Sequence, residues 1–335
     1  MNIKKNFKQI PLSVLDLAVI LEGHSPAESF KNSLSLAQKV EKLGYKRFWL
    51  AEHHNMASIA SSATSVLIGH IAGGTSTIRV GSGGIMLPNH APLIVAEQFG
   101  TLASLFPDRI DLGLGRAPGT DQETARALNR NDHAAFKFKD TIQELQTYLS
   151  EDNIDGRVRA IPGEGMDIPI WILGSSTDSA YLAAALGLPY AFASHFAPQQ
   201  LHQALKIYRD NFVPSDQLKE SYAIACVNVI AAESSEKARL IATSMEMIFL
   251  GILTNSRRPL QPPDKNFVLS PEAEAAMKQF MTYSFVGNPH EVKESLTQFV
   301  DDTQVDELMA VSHIYHHTDR LMSYEILQNI QSKYN

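Results

Sequence analysis

The sequence predicts a (β/α)8 TIM barrel, one domain over residues 1–335 with an insertion between the seventh and eighth strands. Three observations carry that expectation. Short apolar runs alternate with longer amphipathic ones along nearly the whole chain. The first strand-to-helix turn lacks the Gly-x-Gly-x-x-Gly of a doubly wound dinucleotide-binding sheet, the alternative with the same local pattern. A length of 335 residues also suits a large α/β barrel folding as one unit.

The strands are expected at 13–21, 47–51, 78–82, 110–115, 170–174, 190–193, 222–231 and 307–312. The helices between them are expected at 29–43, 64–72, 92–105, 134–149, 177–186, 199–212, 235–253, 289–301 and 318–332. In the first helix Phe30, Leu34, Ala37, Val40 and Leu43 recur at helical spacing and stop at Gly44. The segment 254–280 breaks the pattern with Pro259, Pro262, Pro263 and Pro271. It reads either as a lid beside the barrel mouth or as a passive surface loop.

Composition narrows the function classes. Hydrophobic residues at 44% and charged residues at 19% are ordinary for a soluble enzyme. A net charge of −7 argues against a nucleic-acid or anionic-membrane surface. The single cysteine, Cys226, excludes an internal disulfide and a thiolate zinc site, and its apolar run implies a buried, inert thiol. Lys4, Lys5 and Lys8 precede an apolar stretch, but Asp16 interrupts it, Glu22 closes it and no cleavage site follows. A cytoplasmic protein with no membrane span is expected.

The tetrad Glu52-His53-His54-Asn55 follows the buried-looking run Phe48-Trp49-Leu50-Ala51. An acid and two imidazoles at a strand's carboxyl end stand where parallel α/β folds bind ligands. After the third strand, Gly83 and Gly84 allow either close backbone approach to a flat ligand or a plain tight turn. Arg116, flanked by small residues past the fourth strand, suits either a phosphate clamp or a solvated surface role. Gly174, Ser175 and Ser176 precede a helix whose N-terminus could hold an anion, although a single serine cap has the same look. His195 sits past the sixth strand, as a functional or a structural histidine. His313, His316 and His317 follow the eighth strand, but no carboxylate-rich partner set accompanies them, so no metal is expected.

Together these strand ends resemble the bacterial luciferase-like, flavin-dependent monooxygenase family. The matching stretches are 48–54, 79–88, 108–116 and 174–176, with Ala96, Glu97, Gln98 and Leu102 on the helix between. The resemblance covers about residues 10–200 and implies a (β/α)8 barrel binding reduced FMN in its mouth. It implies that Arg116, Ser175 and Ser176 hold the phosphate, helped by Arg126 or Arg130. It places His53 at the catalytic histidine and Gly83-Gly84 at a non-prolyl cis peptide under the flavin ring. The activity implied is oxidation of a small organic substrate by oxygen through a flavin carbon-4a peroxide, with His53 moving the proton. A separate flavin reductase and a homodimer built on 64–72 and 92–105 are implied as partners. Two departures stand out: the family's reactive cysteine falls at Gly115 and its glutamate at Gly174. Light emission from an aldehyde is therefore not expected. A deazaflavin-dependent oxidoreductase and a non-catalytic flavin-binding protein are the alternatives.

Overall fold

The computed structural model describes residues 4–128 and 137–332. Its strands are β1 (Leu12–Asp16), β2 (Arg47–Leu50), β3 (Arg79–Ser82), β4 (Ile85–Met86), β5 (Ile110–Gly115), β6 (Ile170–Gly174), β7 (Tyr190–Phe192), β8 (Ala223–Ala231), β9 (Ser284–Gly287) and β10 (Glu307–Val311). Eight of them pair side by side in the order β10-β1-β2-β3-β5-β6-β7-β8, and pairing of β8 with β10 closes the ring. Every pairing is parallel. These are the eight strands expected from the sequence, and the insertion falls between the seventh and eighth of them.

Local chemistry explains where the bounds differ. The first strand stops at Asp16 because Ala18 turns to φ 47°, and Val19 and Leu21 then make only isolated bridges to Ile59 and Leu260. The first helix starts earlier than its apolar spacing suggests, at Pro26. Ser25 caps it, its hydroxyl accepting from the Glu28 N–H while the Glu28 carboxylate accepts from the Ser25 N–H. It ends at Lys42, and Gly44 just beyond its Leu43 cap takes a φ of 84° that a side chain would resist. The helix expected at 134–149 is seen as Phe138–Leu149, and 134–136 lie outside the described residues. β4 and β9 were not expected; at two and four residues they carry too little alternation to register. β9 lies outside the ring, paired with the end of β8 from Asn228↔Ser284 to Ala231↔Gly287. The insertion itself contains a helix, Pro271–Phe280, seated by buried Met277 and by Phe280 against Phe249.

Alternation along the strands sorts side chains into two layers. Leu15, Trp49, Trp171, Ile224, Cys226 and Met309 fill the barrel interior, with the Trp49 and Trp171 rings edge to face at 5.1 Å. Burial raises the Cys226 thiol pKa far above its usual value, which keeps it protonated and inert. Residues of opposite parity, such as Val14, Phe48, Val80 and Val227, pack outward against the helices.

Charge closes the amino-terminal end of the barrel. Arg47 donates from Nε to Glu307 Oε1 at 2.7 Å and from Nη1 to Asp111 Oδ2 at 2.7 Å. Asp111 also accepts from Trp49 Nε1 at 3.0 Å and Arg79 Nε at 2.9 Å, and Glu307 from Tyr222 Oη at 2.8 Å. A cleft of about 860 Å³ opens at this end beside Lys46, Trp171 and Gln217, away from the strand carboxyl ends where barrel enzymes do chemistry. Among the described residues no helix is long and apolar enough to cross a membrane.

Candidate active site

Strand β2 delivers the tetrad to the open rim. Glu52, only 1% exposed, is the hub. It accepts from His54 Nε2 at 3.0 Å, His90 Nε2 at 2.9 Å, the Met86 backbone N–H at 3.0 Å and Asn89 Nδ2 at 3.3 Å. Burial alone would raise its pKa, but the hydrogen bonds and charge from His90 and His54 and the Met86 N–H hold it below the usual value. The carboxylate therefore fixes the loop after β4 against the end of β2. It does not touch the His53 ring.

His53 is held differently. Its Nδ1 lies 3.3 Å from Gly119 O, and a carbonyl oxygen only accepts, so Nδ1 carries the proton and Nε2 keeps its lone pair. Gly119 makes this possible with φ 66°; a Cβ there would stand 2.8 Å from Glu52 O. Burial is the main cause pushing the His53 pKa below 6.5, against the Gly119 bond and the Glu52 charge. Arg257, from the insertion, pushes the same way. The result is a neutral imidazole poised as a base or hydrogen-bond acceptor through Nε2.

The Gly83-Gly84 peptide is cis. Beside it the β3–β5 backbone pairing ends at Gly81↔Asp111. The Ser82 hydroxyl then takes over, donating to Gly113 O at 2.8 Å and accepting from Gly113 N at 2.9 Å. Protein packing leaves little room for a side chain at either glycine. A Cβ on Gly83 would sit 2.7 Å from Leu15 Cδ1, and one on Gly84 would sit 2.8 Å from Gly113 O.

Arg116 and the Gly174-Ser175-Ser176 run stand at the ends of the neighbouring strands β5 and β6. Arg116, exposed, reaches the first turn of the helix Thr177–Leu186, its Nη2 3.4 Å from Asp178 Oδ2. Ser176 is the N-cap residue and makes no side-chain capping bond, so its hydroxyl is not spent on the helix; Ser175 beside it is exposed. Gly174 is needed for packing, since a Cβ there would fall 1.9 Å from Ser179 Oγ. Arg126 lies exposed on the short helix Gln122–Ala127 nearby in sequence, and Arg130 lies outside the described residues.

The site residues most easily underrated from sequence are His195 and His313. They are 8% and 6% exposed, and the Nδ1 of each is buried with no hydrogen-bond partner among the described residues. Burial first, then the neighbouring His313 and His53, lowers the His195 pKa to about 3; burial and Arg320, opposed by Asp16, lower that of His313 to about 4. His316 is exposed, and His317 instead meets Ser35 Oγ at 3.0 Å. No group of three or more His, Cys, Asp or Glu among the described residues is arranged to hold a metal.

These depressed values set an acid sensitivity. An unfolded imidazole protonates near 6.5, while His195 and His313 resist until about 3 and 4. The unfolded chain therefore binds more protons over that window, and stability falls as pH drops below about 6.5. Each ring contributes a slope of about 1.4 kcal/mol per pH unit. Denaturant unfolding at pH 7 and pH 5 should show this loss well above the usual carboxylate range, and His313→Phe should flatten it. Equal stability at the two pH values would contradict the assignment.

A closed parallel barrel that gathers a neutral imidazole, a cis glycine pair and an arginine at its strand carboxyl ends is built as an enzyme. Residues 10–307 match the family model described as luciferase-like monooxygenase, and the chain belongs to that family. A luciferase-like monooxygenase of Escherichia coli (strain K12) is 48% identical, covering 97% of this chain and 98% of its own. The N-acetyl-S-alkylcysteine monooxygenase of Bacillus subtilis (strain 168) is 32% identical, with coverage of 96% and 98%. Among solved structures, apo-MsnO8 superposes with a TM-score of 0.86 at 36% identity, covering 96% of this chain and 98% of that one. The oxygenating constituent of Pseudomonas putida 3,6-diketocamphane monooxygenase, in complex with FMN, shares the fold at TM-score 0.70 and 14% identity, with coverage of 95% and 96%.

Proposed function

We propose that this chain is an FMN-dependent monooxygenase that inserts one oxygen atom of O2 into a small organic substrate. The carrying observation is His53, neutral and with Nε2 open, on the same rim as the cis Gly83-Gly84 peptide and Arg116. Arg116, the Ser175 and Ser176 hydroxyls and the N–H groups and dipole at the N-terminus of the helix Thr177–Leu186 would hold the FMN phosphate. The cis Gly83-Gly84 backbone would be the surface that receives the flat flavin ring. Reduced flavin supplies the electrons that activate oxygen, and substrate, O2 and reduced FMN become oxygenated substrate, water and FMN. His53 takes up and returns a proton through Nε2.

The insertion serves as a lid. It is pinned at Leu260, which donates to Ile20 O at 2.9 Å and accepts from Glu22 N at 2.8 Å, and it brings Arg257 into range of His53. A separate cytoplasmic flavin reductase feeds the site. The exposed Val66 and Ile94 on the helices Thr64–Gly73 and Pro92–Leu105 supply the homodimer face. The N-acetyl-S-alkylcysteine monooxygenase among the relatives makes thioethers the first substrates to assay. Anaerobic titration with reduced FMN, followed by oxygen, tests the reading.

A further inference from the structure

We propose that the substrate of this site carries a carboxylate, and that His195, His313 and Asn228 receive its polar end. The proposal rests on the monooxygenase reading above and names the substrate class.

The three residues share one layer of the barrel interior. Asn228 has the same parity on β8 as Ile224 and Cys226, which face inward, and Val311, its partner on β10, stands two residues before His313. His195 lies in the turn after β7, tied to Asn228 through its backbone carbonyl and close enough to His313 to feel its charge. The Asn228 amide is oriented by what it donates to, His195 O at 2.7 Å and Ser284 Oγ at 3.0 Å. That leaves Oδ1 as an acceptor with no partner among the described residues, in a residue 1% exposed. Buried polar atoms are normally satisfied, so three such atoms in one layer of an active-site lumen point to a ligand that satisfies them.

Charge selects which ligand. The titratable groups facing these rings are His53 and His313 around His195, and Arg320 and Asp16 around His313. Arg320 is tied to Asp16 at 2.8 Å, and Arg257 is exposed on the insertion near His53. Among the described residues no carboxylate hydrogen-bonds either imidazole, although Glu52 shows that this chain pairs imidazole with carboxylate elsewhere. An anion reaching His195 and His313 would meet two ring nitrogens able to protonate, with Arg320 acting on His313 and Arg257 on His53 as the cations nearby. Burying an unpaired carboxylate is costly, so its entry draws a proton onto the imidazole pair. Asn228 Oδ1 takes an N–H or O–H beside the carboxylate. An N-acylated amino acid offers both.

The test uses the full chain loaded anaerobically with reduced FMN, and calorimetry with N-acetyl-S-methylcysteine and its methyl ester. The acid should bind on the order of tenfold or more tighter than the ester, as expected for hydrogen bonds to a charged group. Runs in two buffers of different ionisation enthalpy should report net proton uptake with the acid alone. His195→Phe and His313→Phe each keep a planar ring without polar atoms and should erase the preference while reduced FMN binds as before. Should one variant fail to fold, the other carries the test. Equal binding of acid and ester, binding of neither, or binding of the acid without proton uptake would overturn the proposal. Failure to bind reduced FMN would instead overturn the monooxygenase reading.

Discussion

His53→Ala should lower the rate of substrate oxygenation by ~10²–10⁴, the range for a lost general base, while reduced FMN binds as tightly as before. The separation follows from geometry. Among the described residues the His53 ring is hydrogen-bonded through Nδ1 to Gly119 O, whereas the proposed phosphate site lies across the rim at Arg116 and the helix Thr177–Leu186. Removing the imidazole therefore takes away Nε2 and leaves the anion site intact. Glu52 is not expected to substitute, because its oxygens are committed to His54, His90, Met86 and Asn89. His53→Gln should recover little, since an amide can accept a hydrogen bond but cannot carry a proton near neutral pH. Oxygenation at the wild-type rate in His53→Ala would remove His53 from the chemistry.

Asp111→Ala should destabilise the fold by about 3–5 kcal/mol, the cost of breaking a buried ion pair from one side. Asp111 is fully buried and accepts from Arg47, Arg79 and Trp49 at once. Alanine would leave the Trp49 N–H without a partner and strip Arg47, itself 3% exposed, of one of its two carboxylates. Urea unfolding of the flavin-free protein checks this. A change below about 1 kcal/mol, typical of a surface pair, would show that the network does not bear on stability.

The barrel was legible in the sequence because its signal is repeated. Parallel strands buried on both faces read as apolar runs, and each is set off by an amphipathic helix. The parts that escaped are short or paired by side chains. β4 has two residues, β9 has four, and the β3–β5 ladder continues through the Ser82 hydroxyl, which no periodicity encodes. At the rim, residue type and strand-end position marked His53, Gly83-Gly84, Arg116 and Ser176, and the cis bond stands where the family resemblance put it. Partnership was not legible. Glu52 binds His54 within the tetrad and also His90, 38 residues away in sequence. Nor could the sequence tell that the Nδ1 atoms of His195 and His313 are buried with no hydrogen-bond partner among the described residues while His316 is exposed, because that depends on which strands meet around the ring.

The most direct test of the account is an anaerobic titration of the purified chain with reduced FMN, reduced riboflavin and reduced deazaflavin, each followed by oxygen. The account predicts saturable binding of reduced FMN, weaker binding of riboflavin for want of the phosphate, and loss of that difference in Arg116→Ala. It further predicts that oxygen then oxidises the bound FMN, with one oxygen atom passing to an added thioether. No saturable binding of reduced FMN, or preferential binding of the deazaflavin with no reaction toward oxygen, would contradict it.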